Sequence, residues 1–349
     1  MAYYAGLDVS LEETAICVID EAGRVVKEAR IASEPDALIA FFRKLDMPMD
    51  RIGLEACSLT AWLHDTLNEA GLPALCMETR QAKAAMGSMP VKTDRNDARA
   101  LAQIVRTGWF RPVHVKSATC RSWRALLTAR RMVLNKLRDL ENGVRAALRE
   151  TGIKLGTPGR KQFAERVRAL AASDPVLTAL VEPMLTIITT MVRELARLTK
   201  QVLASARDEP VCRRLMTVPG GGPLTALALR ATIDRPERFR RSRDVGAHLG
   251  LTPRRHQSGG TDVQGRISRC GDELTRTALY EAAHSLLVRS QKWSALRAWG
   301  MKIAKGRGMA RARVAVARKL AVILHGLWRD GTEFRWGKEA SVQAVPSTA

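Results

Sequence analysis

Three short apolar runs at the amino end constrain this chain more than anything else in it. Residues 3–9 (YYAGLDV), 14–20 (TAICVID) and 24–32 (RVVKEARIA) are separated by SLEE and EAGR, which have turn character. They predict a three-stranded antiparallel meander. A helix at about 35–45, a strand at 51–56 (RIGLEA), a helix at 59–71 and a strand at 73–78 (PALCME) follow. The order β-β-β-α-β-α-β predicts an α/β domain with a mixed sheet. A helix at about 94–107 and the extended run FRPVHV close it near residue 115.

Beyond it the pattern turns helical. Residues 117–150 read as one long helix, with Trp123, Leu127, Leu134, Leu137, Val144 and Leu148 on one side and seven basic residues between them. A second long helix starts at Ser173-Asp174-Pro175, with proline in its first turn. Met184, Ile188, Met191, Leu195, Leu198 and Val202 step along it by three and four. An antiparallel hairpin or a coiled coil between subunits accounts for the stripe, and ordinary core packing accounts for it equally well. Residues 210–335 are expected to be mainly helical, with PGGGP at 219–223, a glycine-rich loop at 258–265 and a basic helix at 309–328. The expected division is therefore 1–115, 116–209 and 210–336, with a disordered polar tail at 337–349.

Charge narrows the partner. The chain has 349 residues and a formal net charge of +22. Residues 1–115 hold 13 basic and 16 acidic side chains, so the remainder carries about +25. A basic surface of that size, rich in arginine, fits phosphate backbones better than a merely solvated face does. The apolar runs all look shorter than the ~20 residues a membrane span needs, and no signal-peptide pattern opens the chain. A cytoplasmic, nucleoid-associated protein with no membrane partner is expected. The six cysteines form no CxxC pair and the six histidines show no metal-binding spacing.

Four carboxylates stand out. Asp8 lies within the first apolar strand, where an unmet charge is costly. Glu55 ends IGLE on the fourth strand, and Asp94 and Asp97 sit one helical turn apart in KTDRND. Each has an ordinary reading: Asp94 as a helix cap, Asp97 as a partner of the helix dipole, Glu55 paired with a lysine. Only Asp8 resists one. Together, at one end of a sheet, they could hold Mg²⁺ or Mn²⁺ for phosphodiester displacement.

The carboxy-terminal part offers phosphate-binding features. Gly220, Gly221 and Gly222, before a helix start, resemble a helix-hairpin-helix turn that lets backbone approach phosphate. A plain glycine turn is the equal alternative. Arg254, Arg255, Arg266 and Arg269 cluster around SGG, and Arg311 and Arg313 decorate the late basic helix.

The combination GLDVS, LEAC and KTDRNDARALA, with the later block HLGLTPRRHQSGGTDVQGRISRCGDELTR, resembles the DEDD transposases of insertion-sequence family 110 in order over nearly the whole chain. Cys57-Ser58 depart from the Thr-Gly that this family often has after the glutamate. The resemblance implies an RNase H-like (RuvC-like) domain with Asp8, Glu55, Asp94 and Asp97 as catalytic metal ligands. It implies a helical coiled-coil hairpin and a mainly helical C-terminal domain in which Ser258 is the nucleophile, Ser268 being the rival hydroxyl. It further implies a covalent serine–DNA intermediate, donor and target DNA, a structured guide RNA and a homo-oligomer, dimer or tetramer. The alternatives are a resolvase-type structure-specific nuclease, which needs no Ser258, and a non-catalytic nucleic-acid-binding protein, which needs no carboxylates. An actin-like sugar kinase fits poorly, since its further phosphate loops and an explanation of the charge are both missing.

Overall fold

The computed structural model describes residues 1–80 and 91–334. The expected disordered tail at 337–349 lies outside them. Contacts divide the chain into residues 1–116 and 117–349.

The first unit is built on a five-stranded sheet of order β3-β2-β1-β4-β5. Strands β1 (Tyr3–Val9), β2 (Glu13–Ile19) and β3 (Val25–Ala32) form the antiparallel meander. Strands β4 (Met49–Glu55) and β5 (Ala74–Met77) continue the sheet parallel to β1. That order and polarity are those of an RNase H-like fold. Helices α1 (Pro35–Leu45) and α2 (Thr60–Glu69) cover one face, burying Leu7, Leu54, Leu38 and Leu63. Helix α3 (Asp94–Thr107) covers the other through Ala98, Leu101, Ala102 and Val105. The expected FRPVHV segment runs beside β5: Val113 N donates to Cys76 O at 2.8 Å.

In the second unit, α4 (Ala118–Glu150) and α6 (Pro175–Asp208), with the short α5 (Phe163–Ala171) between them in the chain, run antiparallel. Arg130 meets Thr199 near one end, and Gly143 faces Met184 toward the other. Asp174 caps α6, accepting from Val176 N and Leu177 N. The buried seam of α6 is Leu177, Val181, Leu185, Ile188, Leu195 and Val202. Met184 and Met191, expected inside, are only partly buried. Both phases of the stripe are apolar, and the position of α4 selects one.

Contrary to the expectation that no apolar stretch reaches spanning length, α6 is long and apolar enough to cross a membrane, with a window of mean hydropathy 1.6. Between Pro175 and Val192 its only charge is Glu182. The inner side of this helix packs on α4, while Val176, Leu180 and Ile187 remain exposed.

Leu127 and Val202, at the foot of this hairpin, belong to the same core as the helices that follow. Those are α7 (Pro210–Leu215), α8 (Pro223–Ile233), α9 (Arg243–His248), α10 (Glu273–His284), α11 (Ala295–Arg307) and α12 (Met309–Arg329). The glycine-rich loop expected at 258–265 is instead a β-hairpin, β6 (Pro253–Ser258) paired with β7 (Thr261–Ile267). Gly259, at φ 55°, and Gly260 form its two-residue turn.

Candidate functional site

Two Gly-Leu-acid triplets position the carboxylates. In β1 the triplet is Gly6-Leu7-Asp8; in β4 it is Gly53-Leu54-Glu55, with Leu7 opposite Leu54 in the parallel register. Strand alternation puts each leucine into the core under α1 and α2, and each glycine and acid on the face beneath α3. The glycines let α3 lie down. A Cβ on Gly6 would stand 2.2 Å from Ala102 N and 2.4 Å from Ala98 O, and one on Gly53 would stand 2.2 Å from Val105 Cγ2. With α3 so close, its first turn, carrying Asp94 and Asp97, faces the end of β1.

Thr93, not Asp94, caps α3: its hydroxyl accepts from Asn96 N at 3.2 Å. The ordinary capping role proposed for Asp94 is thus filled by a neighbour. Arg95 and Arg99 both clasp Glu28 on β3, which holds that carboxyl down to about 2 and pins α3 to the meander. After Glu55, Thr60 fixes the turn: its hydroxyl donates to Glu55 O at 2.6 Å and accepts from Cys57 N at 2.9 Å. This tie secures the turn at the Cys57-Ser58 departure.

The carboxylates act on one another. Asp8 is pushed up to about 6, first by burial, then by the negative charges of Asp97, Asp94 and Glu55, with Lys92 opposing. Arg30 reaches across from β3 to Asp94 Oδ2 at 2.9 Å and to Glu13 Oε2 at 3.0 Å. Among the described residues no three His, Cys, Asp or Glu side chains close into a metal-binding group. The donor chemistry nevertheless fits a hard divalent cation: four carboxylates, with no thiolate or imidazole among them, crowded enough to raise Asp8. The structure therefore brings the four acids to one edge without drawing them into a coordination sphere.

In the second unit, every residue of β6 is exposed. Ser258 is the last of them, opposite Thr261, and Arg254, His256 and Ser258 alternate onto one side of the ribbon. Among the described residues, the Ser258 hydroxyl has no hydrogen-bonding partner. Arg255 is engaged with Asp262 by two bonds of 2.8 and 2.6 Å. Arg254 donates to Ser268 O at 3.1 Å. Ser268 Oγ accepts from Cys270 N at 3.4 Å, a local turn contact. The base of the ribbon is tight: a Cβ on Gly250 would stand 2.2 Å from Cys270 O, and one on Gly271 1.9 Å from His248 O. Arg266 is exposed, and Arg269 lies at the base with φ 55°. On α12, Arg311 is exposed, whereas Arg313 is half-buried over the Tyr280 ring.

The glycines of PGGGP divide. Gly220 and Gly221 serve internal packing, since a Cβ on Gly220 would stand 2.5 Å from Ala282 O and one on Gly221 2.7 Å from Leu215 O. Their expected approach to phosphate gives way to close contact with the protein's own backbone. Gly222 alone is open, with nothing within 4 Å of its would-be Cβ. Three residues at the sites were not among those expected from sequence: Gly6, Gly53 and Arg30. The repeated GLD and GLE triplets carried the signal for the first two; Arg30, 64 positions from Asp94, carried none.

An RNase H-like sheet with acids gathered under α3, joined to a basic helical unit, defines a nucleic-acid-processing enzyme. A family profile for IS110 DEDD transposases, described as a transposase, matches residues 5–153, and one described as the transposase IS116/IS110/IS902 family matches residues 212–298. The chain is 30% identical over 338 residues to the transposase for insertion sequence element IS1111A of Coxiella burnetii, covering 95% of this chain and 91% of that one. It is 28% identical to a probable family 20 transposase of Pseudomonas aeruginosa, covering 95% and 98%. A T. thermophilus RuvC structure in complex with Holliday junction substrate aligns at 14% identity over 32% of this chain and all of that one, with a TM-score of 0.25. The chain belongs to the IS116/IS110/IS902 family of transposases, enzymes that cut and recombine DNA.

Proposed function

We propose that this transposase cleaves and rejoins DNA through a covalent link to Ser258, with Asp8, Glu55, Asp94 and Asp97 holding Mg²⁺ or Mn²⁺. The observation that carries the reading is the pair of Gly-Leu-acid triplets on adjacent parallel strands under one acid-bearing helix. A divalent cation bound there would offset phosphate charge and favour ionisation of the attacking oxygen. The Ser258 Oγ–phosphorus bond forms as a phosphorus–oxygen bond to the sugar breaks, and the released sugar hydroxyl takes the proton. The reverse step rejoins the strand, so no high-energy cofactor enters. Gly259 and Gly260 free the tip for approach, and Arg254 lies on the same side as Ser258 to meet phosphate charge.

The remaining assignments follow from the family resemblance. Donor and target DNA are engaged with a structured guide RNA whose base pairing reads sequence, by a homo-oligomer acting at the nucleoid in the bacterial cytoplasm. Arg254, Arg255, Arg266, Arg269, Arg311 and Arg313, with Gly222, supply phosphate contacts; Gly220 and Gly221 support these from inside.

The test is covalent trapping. Labelled DNA incubated with wild-type protein should yield a denaturation-resistant adduct mapping to Ser258, and Ser258→Ala should bind DNA but form no adduct and exchange no strands. An adduct at Ser268, or recombination by the alanine variant, would refute the assignment. One observation favours the resolvase-type nuclease instead: among the described residues no side chain hydrogen-bonds the Ser258 hydroxyl to activate it. In that case cleavage survives Ser258→Ala and requires only the carboxylates.

A further inference from the structure

Within the second unit, the feet of α4 and α6 and the helices α8 and α10 line an open cavity of about 580 Å³. Its floor is aliphatic, formed by Leu127, Leu134, Val202 and Ala278. Its rim is cationic, with Arg130, Arg138 and Arg289.

Arg130 is half-buried and donates to Thr199 Oγ1 at 2.9 Å. No carboxylate among the described residues pairs with it. Burial, and then the positive charge of Arg160, push its pKa down. A desolvated guanidinium without a counter-charge is costly, and an incoming anion relieves that cost. The side chains of Arg138 and Arg289 are exposed and make no ion pair or hydrogen bond among the described residues. Arg131, which also lines the cavity, differs in being matched by Glu273 at 2.5 Å. At the inner edge, α8 begins at the open Gly222 with no side-chain cap. Its first-turn amides therefore add to a positive field already set by the arginines.

We propose that this cavity binds one unpaired nucleotide of a single-stranded nucleic-acid segment, its phosphate among Arg130, Arg138 and Arg289 and its base against the aliphatic floor. The inference rests on the nucleic-acid substrate of the function proposed above. Duplex phosphates lie on a convex rod, with the base faces stacked out of reach. An unpaired base offers an apolar face to a concavity while its phosphate stays at the mouth. An apolar peptide would fill the floor and leave three cations unmet. Glu281, an exposed carboxylate at the same cavity, is placed to accept from an N–H on the base edge, which thymine and uracil offer at N3, and turns the phosphate toward the arginine side.

The experiment uses full-length protein and fluorescence anisotropy with labelled oligo-dT, oligo-rU and a blunt duplex of equal length. The double substitution Arg130→Gln, Arg138→Gln should weaken single-strand binding about tenfold and flatten its salt slope by about 0.7, the loss of one neutralised phosphate. Duplex binding, supported by the ribbon at 253–267 and by α12, should change much less. Equal loss on both ligands, or no loss on either, overturns the proposal. The dT and rU arms say whether the strand is DNA or RNA. Displacement of the strand by thymidine monophosphate at equal nucleotide concentration would instead reassign the cavity to a free nucleotide. A second measurement needs no variant: a strand carrying 4-thiothymidine, cross-linked to wild-type protein, should give adducts on segments 127–138, 199–203 or 274–289. Adducts confined to 253–267 or 309–329 overturn it. Asp97→Ala tests the carboxylate chemistry separately, so the two readings fail independently.

Discussion

The guanidinium of Arg30 lies 2.9 Å from Asp94 Oδ2, so a side chain of the meander already occupies one of the four acids. A cation that takes Asp94 as a ligand competes with Arg30. Arg30→Gln should therefore tighten Mn²⁺ binding several-fold, read by electron paramagnetic resonance of free Mn²⁺ with no DNA present. Weaker Mn²⁺ binding in the variant would mean that Arg30 organises the acids instead of restraining one.

Asp8 gives a pH dependence with a definite sign. The folded chain holds its proton up to about 6, against an ordinary 3.8. Between those values the folded state binds more protons than the unfolded one, so stability falls as pH rises through the interval. Above it, the cost of the half-buried charge is fully present. Without divalent ions, Asp8→Asn should melt several degrees above wild type at pH 7.5 and level with it near pH 4. Cleavage by wild type should decline as pH drops through about 6, because the proton then competes for a ligand oxygen. An unchanged melting temperature at pH 7.5 would contradict this account of Asp8.

Asp97→Ala should abolish cleavage and leave nucleic-acid affinity unchanged or raised, because removing a carboxylate near phosphates reduces repulsion. Parallel cleavage and filter-binding assays decide it. Turnover should need Mg²⁺ or Mn²⁺ and be poor with Ca²⁺, whose coordination is larger and looser. Strong turnover in excess chelator would remove the carboxylate mechanism.

The glycines make a separable prediction. Gly6→Ala forces a methyl into the backbone of α3 and should cost about 1–3 kcal/mol or more, with loss of cleavage as α3 shifts. Gly220→Ala should destabilise similarly, since it also meets backbone and has φ 81°. Gly222→Ala should stay within about 0.5 kcal/mol. Denaturant melts of the three variants test the division; a neutral Gly220→Ala would restore an open, phosphate-facing role to that position.

Much of the first unit was legible because its strands bury one face at a time. Leu7 and Leu54 are core positions flanked by Gly and an acid, a pattern with a period of two that sequence displays directly. Asp8 stood out for the same reason, as charge in a strand that is otherwise apolar, and Asp94 and Asp97 as two acids one helical turn apart. The ribbon at 253–267 was not. Its strands, PRRHQS and TDVQGRI, are exposed almost throughout, so no apolar alternation marks them. Gly259-Gly260 between two short runs was the available sign of a two-residue hairpin. The phase of the α6 seam was also hidden: Met184 and Leu185 are equally apolar, and only the partner helix chooses between them. Arg30 and Asp94 meet through the fold of the sheet, which local spacing does not encode.

The crossings at Gly250 and Gly271 have an evolutionary corollary. Two backbones pass so closely there that the ribbon is clamped at its root, while outside the root it shares no core with the helices. Its outer residues can be exchanged, lengthened or recharged with little effect on the folding of the rest, because surface hairpins tolerate insertion at modest entropic cost. The arm is thus a replaceable tool on a fixed handle. Related elements can diversify what they grip by rewriting its outer codons, provided the two glycines at the handle and Ser258 at the tip are left alone.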